Sequence, residues 1–130
     1  MGRSTMLDIT DENVVVASVA DVRAVLCDEA WWHARIPGAR LRCIDDRGPL
    51  GKRWAVEGEF TGSAEVWLEE WADAVVVHVF WQVDPVGRTP LSARRLDRYA
   101  VTIKRHVMGL KDTLEAGRAP GTPRGVPAGE

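Results

Sequence analysis

The sequence predicts an α+β domain in which a curved antiparallel sheet wraps around one long C-terminal helix. Three observations predict this class. Several short segments alternate apolar and polar residues with the two-residue period of strands. Short turns separate these segments, so consecutive strands are antiparallel neighbours. One long C-terminal stretch has the helical period instead, and its apolar stripe needs the sheet as a packing partner.

The composition is that of a small globular protein. Its 130 residues suit one domain, and 45% of them are apolar, which is enough for a core. The 17 basic and 19 acidic residues nearly balance, at a net charge of −2, which argues against nucleic-acid binding. Six tryptophans are many for this length, and they favour either an apolar pocket or a tightly packed core.

The polar N-terminus, the lack of a long apolar stretch and the two cysteines predict a cytoplasmic protein. The N-terminal residues are polar and show no leader peptide, and no stretch approaches the ~20 apolar residues of a membrane span. Cys27 and Cys43 have no metal-ligand spacing and are expected to be free thiols in a reducing compartment.

The N-terminal part is predicted to hold one strand element and two short helices. Clustered valines in residues 6–17 indicate one bent strand or a short hairpin. Ser18 is a plausible helix N-cap, and Asp21 stands where a capping-box partner would be. A second short helix is expected to start near Asp28 and to end before Pro37 and the glycine that follows it.

Four strands and a long helix are predicted to follow. The expected strands cover residues 41–44, 53–60, 64–69 and 75–83. Residues 84–92 contain two prolines and a glycine and are predicted to form a loop. The helix should be about 24 residues and ~36 Å long, ending near Gly117. Its apolar stripe consists of Leu96, Ala100, Ile103, Val107, Leu110 and Leu114.

The predicted domain covers residues 1–118, and the Pro- and Gly-rich residues 119–130 are expected to be a disordered tail. A helix and a twisted sheet do not match along their whole length, so we expect a cavity between them. Gly58 and Gly62 are placed to permit bends in the strands.

Four segments carry a resemblance to a known family, namely VADVRAVLCDEAWW, RWAVEGEFTGSAEVWLEE, AVVVHVFWQVDP and RRLDRYAVTIKRHVMGLKDTLEAGR. Over residues 5–120 the chain resembles the START-like (helix-grip, SRPBCC) superfamily, which includes polyketide cyclases and dehydrases and lipid carriers. The last two segments are similar to small actinobacterial cyclase-like proteins. The resemblance implies a helix-grip fold and a pocket for a hydrophobic ligand. That superfamily usually has a seven-stranded sheet, and residues 84–92 are too short for two more strands, so a smaller sheet and a more open cavity are expected.

His78 is the candidate catalytic residue. It lies in the most apolar strand and alternates onto one face with Phe80 and Gln82. We expect that face to line the cavity, where a neutral imidazole could bond a ligand oxygen or move a proton. The alternative is a buried structural histidine, and an inverted register would turn it to solvent.

The remaining candidates are mostly aromatic. Tyr99 and His106 flank the helix stripe, and they either meet a ligand or are half-exposed boundary residues. The tryptophans of the second short helix are expected at the pocket mouth, and alternation in 53–60 turns three large residues inward. Core packing is the alternative for the tryptophans and for Phe60. The predicted ligand-binding set is Trp31, Trp32, Trp54, Val56, Phe60, His78, Phe80, Gln82, Tyr99, Ile103, His106 and Leu110.

Several functional classes leave no motif in the sequence. There is no Gly-rich phosphate loop, no GxSxG elbow, no HExxH and no cluster of metal ligands, so neither a cofactor nor a metal is expected.

Three functions remain. The first is binding of a small hydrophobic ligand, such as a lipid, an isoprenoid or an aromatic polyketide, between the sheet and the C-terminal helix. The second is a cyclase- or dehydrase-type enzyme with His78 as acid/base, assisted by Tyr99 or His106. The third is a protein-interaction or regulatory module, which an exposed Trp67 or Trp71 would favour. A homodimer is compatible with each of them.

Overall fold

The computed structural model describes residues 7–87 and 92–116. In chain order, the elements are β1 (Leu7–Val15), α1 (Val19–Leu26), α2 (Glu29–Arg35), β2 (Ala39–Asp46), a 3-10 turn (Gly48–Leu50), β3 (Gly51–Gly58), β4 (Phe60–Trp71), β5 (Ala74–Pro85) and α3 (Ala93–Glu115). The predicted α+β class, the two short helices and the long C-terminal helix are confirmed. The predicted end of that helix at Gly117 and the predicted tail lie outside the described residues.

The five strands form one antiparallel sheet in the order β1-β5-β4-β3-β2. The N-terminal segment is therefore a single strand rather than a hairpin, and it pairs with β5 from Leu7 opposite Val83 to Val15 opposite Val75. Of the predicted loop 84–92, the first two residues extend β5, and 88–91 lie outside the described residues.

The short helices begin where their caps predict. Ser18 Oγ accepts a hydrogen bond from the Asp21 amide at 3.1 Å, and the Asp28 carboxylate accepts one from the Ala30 amide at 3.0 Å. Each bond satisfies an amide that the first turn of a helix leaves unpaired. α2 then ends at Arg35, because Pro37 disfavours helical geometry in the residue before it.

The core lies between the inner face of the sheet and the helices. The predicted stripe is its helical side, since Ile103, Val107 and Leu110 of α3 are buried. At the end of α3, Glu115 accepts a hydrogen bond from the Val16 amide at 2.7 Å, and Lys111 Nζ donates one to the Val14 carbonyl at 2.7 Å. These two bonds attach the helix to the end of β1.

Gly58 and Gly62 stand at close backbone approaches in the sheet. Gly58 has a φ of 102°, and a Cβ there would lie 2.7 Å from the carbonyl oxygen of Gly38. Gly62 has a φ of 151°, and a Cβ there would lie 2.1 Å from the carbonyl oxygen of Gln82. A positive φ and a close backbone neighbour together allow only glycine at each position. The two glycines therefore let the strands pass close to the neighbouring backbone at this end of the sheet.

Among the described residues, no helix is both long and apolar enough to cross a membrane.

Candidate functional site

Two adjoining clefts run along the side of α3 that faces α2. The first, here the Trp31 cleft, has a volume of about 480 Å³ and is lined by Val25, Trp31, Arg35, Arg105, His106, Gly109, Leu110 and Thr113. The second, here the Tyr99 cleft, has a volume of about 380 Å³ and is lined by Arg35, Ile36, Pro37, Gly38, Glu59, Arg95, Arg98, Tyr99 and Thr102. Arg35 belongs to both clefts and marks their junction.

Trp31 and Arg35 form one wall because they are one turn apart on α2. The Arg35 guanidinium lies 4.1 Å from the centroid of the Trp31 ring, a cation–π distance. Its Nη1 also donates to the Trp31 carbonyl at 3.1 Å. The Nε of Arg35 is buried and has no hydrogen-bond partner among the described residues. The guanidinium is thus held in place while its buried Nε–H has no acceptor among the described residues.

The opposite wall of the Trp31 cleft is the last half of α3. The His106 ring stands edge-on to Trp31, with 6.5 Å between centroids and 82° between planes. Burial lowers the pKa of His106 below its ordinary value, and the nearby Arg35 and Arg105 charges lower it further. Gly109 leaves this wall open, since a Cβ at that position would meet nothing within 4 Å.

The Tyr99 cleft continues the groove toward the start of α3. The Tyr99 ring packs edge-on against Phe60, with 5.1 Å between centroids. Arg95 and Arg98 project from the exposed helix beside it, and Glu59 lines the sheet side. The two clefts together are lined by four arginines and one histidine against a single carboxylate.

Further tryptophans are buried in the core behind Trp31. Trp32 packs edge-on against Trp31, with 4.8 Å between centroids, and lies 5.4 Å from Trp81. Trp32 Nε1 donates to the Leu26 carbonyl at 2.8 Å, and Trp54 Nε1 donates to a Glu29 carboxylate oxygen at 2.7 Å. Trp81 Nε1 is buried and has no partner among the described residues.

The structure divides the predicted ligand-binding residues into three groups. Trp31, His106 and Leu110 line the Trp31 cleft, and Tyr99 lines the second cleft. A second group is packed in the core beneath them, consisting of Trp32, Trp54, Val56, Phe60 and Ile103. The third group, His78, Phe80 and Gln82, lies on the outer face of the sheet.

The predicted cavity-facing orientation of His78, Phe80 and Gln82 is wrong. The β4–β5 register places His78 opposite Trp67 and Gln82 opposite Ser63, on the outer side of the sheet. The inner side of β5 is occupied instead by Val75, Val77, Val79, Trp81 and Val83, all in the core. The acid/base hypothesis needs His78 in the cavity, and this residue lies across the sheet from both clefts.

His78 is covered on the outer face by neighbouring side chains. It stacks on Trp67 with 4.3 Å between centroids and 20° between planes. Its Nδ1 lies 3.2 Å from a Glu12 carboxylate oxygen, and its Nε2 lies 3.2 Å from one of Glu69. The alternative expectation for His78, a buried structural histidine satisfied by neighbouring strands, therefore describes its surroundings.

The cysteines offer no nucleophile to the site. Cys27 and Cys43 are both free. Burial raises the pKa of the Cys27 thiol to about 11, so the reactive thiolate is scarce at neutral pH. Among the described residues, no group of three or more His, Cys, Asp or Glu side chains is placed to hold a metal ion.

The sequence interpretation missed part of the lining of the groove. Arg35, Arg105 and Gly109 were not among the candidates. One local signal was available for Arg35, because residues four apart on a helix contact each other and an arginine four residues after a tryptophan can stack on it.

Comparison with solved structures identifies the architecture. The Aha1 dimer of Colwellia psychrerythraea matches with a TM-score of 0.65 and 12% identity, over 86% of this chain and 98% of that one. A Polyketide_cyc-like protein of Corynebacterium glutamicum matches with a TM-score of 0.57 and 13% identity, over 85% of this chain and 90% of that one. The chain has the helix-grip fold. Ara h 8.0201 matches this helix-grip chain with a TM-score of 0.50 and 11% identity, over 85% of this chain and 95% of the other.

At these identities the helix-grip likeness concerns the fold alone, since one fold hosts many functions. No protein-family model and no curated protein sequence matches the chain.

Proposed function

We propose that the chain binds a small hydrophobic molecule, of the size of a lipid chain, an isoprenoid or an aromatic polyketide, in the Trp31 cleft. The observation that carries the proposal is the cleft itself. It has one aromatic wall, an open glycine position and a volume of about 480 Å³. Small-molecule sites commonly have volumes of about 300–1,000 Å³ and combine apolar walls with a few polar groups.

The site lies between rigid elements rather than on a loop. Trp31 is fixed from behind by the buried Trp32, whose indole is bonded to the Leu26 carbonyl. Leu110 belongs to the buried stripe of α3. A ligand there would cover partly exposed apolar surface without forcing the core apart, so binding would require little rearrangement.

The test is titration with a neutral fluorescent probe, N-phenyl-1-naphthylamine. We expect saturable enhancement of its emission by the unaltered chain. Gly109→Phe adds a ring inside the cleft and should abolish that saturation. Met108→Phe is the matched control, because it adds the same ring one residue earlier on the same helix, at a side chain that is 44% exposed.

The proposal is wrong if the neutral probe does not bind, or if Gly109→Phe binds it as well as the unaltered chain does. Far-UV circular dichroism establishes that both variants retain the fold. Retained binding in Met108→Phe excludes a general effect of an added aromatic ring.

A second candidate function, interaction with a protein partner, is favoured by the outer face of the sheet. Trp71 is 66% exposed and Trp67 is 37% exposed there. Exposed glutamates surround them, among them Glu12 and Glu69. The combination suits a partner segment bearing lysines or arginines, which the carboxylates attract and the indole faces stack against.

An arginine-rich synthetic peptide with one terminal dye tests this second candidate. We expect binding that weakens in Trp71→Ala and with added salt. Equal binding by the unaltered chain and by Trp71→Ala would exclude the surface.

A further inference from the structure

We propose that the ligand of the Trp31 cleft carries a carboxylate and that Arg35 is the residue that holds it. The inference rests on the proposed function and names its ligand class, an alkyl or aryl carboxylic acid. It is argued from the charge of the two clefts, from the state of the Arg35 guanidinium and from the division of the site into an apolar part and a cationic part.

The first argument is the uncompensated positive charge. Arg35, Arg95, Arg98 and Arg105 line the two clefts, and none of them forms an ion pair with a described carboxylate. Three other arginines of the described chain are paired, among them Arg23 with Asp46 at 2.8 Å and Arg47 with Glu65 at 2.7 Å. A cleft lined by one sign of charge concentrates ligands of the opposite sign.

The second argument concerns the guanidinium of Arg35. Its Nη1 is used on the Trp31 carbonyl, while its Nε is buried without a partner. A buried donor without an acceptor is destabilising, so such groups are normally satisfied by a ligand or by ordered water. The Nε edge of a guanidinium is one of the edges that match the two oxygens of a carboxylate.

The third argument is that the guanidinium is already oriented. Stacking on Trp31 at 4.1 Å and the backbone bond fix the plane of the group before any ligand arrives. Less conformational entropy is then lost when two parallel hydrogen bonds form. A compact ammonium group in the same place would offer charge without this planar fork.

The last argument is the layout of the groove. Arg35 lies at the junction of the clefts, and the lining of the Trp31 cleft beside it includes the apolar side chains of Val25, Trp31 and Leu110. A molecule whose carboxylate lies at Arg35 can therefore place its apolar body among those side chains. The open position at Gly109 leaves room for this body.

The experiment compares two probes with the same dansyl-bearing chain, the negatively charged 11-(dansylamino)undecanoic acid and its neutral methyl ester. In the unaltered chain we expect the acid to bind about tenfold more tightly than the ester, since charge-assisted hydrogen bonds contribute about 1.5–3 kcal/mol. Arg35→Met keeps an apolar stem but removes the guanidinium, and it should bring the acid down to the affinity of the ester. Arg35→Lys keeps the charge without the fork and should retain only part of the preference.

Arg40→Met is the matched control. Arg40 is an exposed arginine of β2 outside the lining of both clefts, so the preference for the acid should survive its replacement. Thermal denaturation of each variant establishes that the fold is retained.

The possible outcomes separate this inference from the proposed function. If acid and ester bind the unaltered chain equally well, the carboxylate preference is wrong and hydrophobic binding stands. If neither probe binds, both proposals are wrong. If Arg35→Met weakens acid and ester by the same factor, Arg35 shapes the cleft and does not recognise the charge, which also overturns the inference.

Discussion

Gly109 provides a direct test of the geometry of the Trp31 cleft through protein stability. This glycine lies in the interior of α3, and a Cβ there would meet nothing within 4 Å. Glycine in a helix interior costs about 0.5–1 kcal/mol relative to alanine, because its unfolded chain has more backbone freedom to lose. Gly109→Ala should therefore raise the free energy of unfolding by about 0.5–1 kcal/mol. For a chain of this length, that corresponds to an increase in Tm of about 2–4 °C.

The assay is urea denaturation followed by tryptophan fluorescence, with the slope m compared between variants. Gly62→Ala is the comparison of opposite sign. Gly62 has a φ of 151°, and its Cβ would lie 2.1 Å from a backbone oxygen that cannot move away easily. A fall in stability in Gly109→Ala would refute the reasoning, because it would mean that this position is packed rather than open.

Two further predictions concern the half-buried polar side chains of Glu29 and His106. One Glu29 carboxylate oxygen lies 2.7 Å from the buried Trp54 indole nitrogen and 2.6 Å from the Lys52 ammonium nitrogen. Glu29→Ala removes this shared acceptor and should lower the free energy of unfolding by about 1–3 kcal/mol. In the same urea assay, Glu57→Ala breaks the more exposed ion pair with Arg42 and should lower the free energy of unfolding by less than about 0.5 kcal/mol. Equal losses in the two variants would contradict the role of Glu29 as a shared acceptor. The pKa of His106 is lowered in the folded chain, so the unfolded chain binds the proton more readily, and stability should decline as the pH falls below about 6.5. His106→Gln should lose that part of the decline when urea curves at pH 5 and pH 7.5 are compared, and an unchanged pH dependence would show that His106 does not contribute to it.

The fold was predictable because its signals are local. The caps at Ser18 and Asp28, the alternation through Trp54 and Val56, and the stripe through Ile103 each depend on residues a few positions apart. No distant contact had to be known. Their order along the chain then indicated one helix packed on one antiparallel sheet.

The facing of β5 was predicted wrongly, because both of its alternating sets contain large apolar residues. Residues 75–83 are almost continuously apolar, so hydrophobicity alone does not separate the two faces. The deciding signal lies in the hairpin to β4. A two-residue turn between Trp71 and Ala74 pairs Trp67 with His78, and Trp67 alternates with the exposed Glu69. That register places His78 on the outer face, where an aromatic stack covers it.

The clefts depend on a juxtaposition that no local pattern contains. Trp31 and Arg35 belong to α2, whereas His106 and Gly109 lie about seventy residues later in α3. Each residue has an ordinary interpretation by itself, as a core aromatic, a surface cation, a boundary histidine and a helix-weakening glycine. Brought together by the fold, they line one cleft that combines apolar side chains with an oriented cation, which is the combination that the proposed amphipathic acid requires. Because Trp31 and Arg35 belong to α2 whereas His106 and Gly109 belong to α3, a shift of either helix would change the width of the cleft. The proposed recognition of such a ligand therefore depends on the core that holds the two helices together.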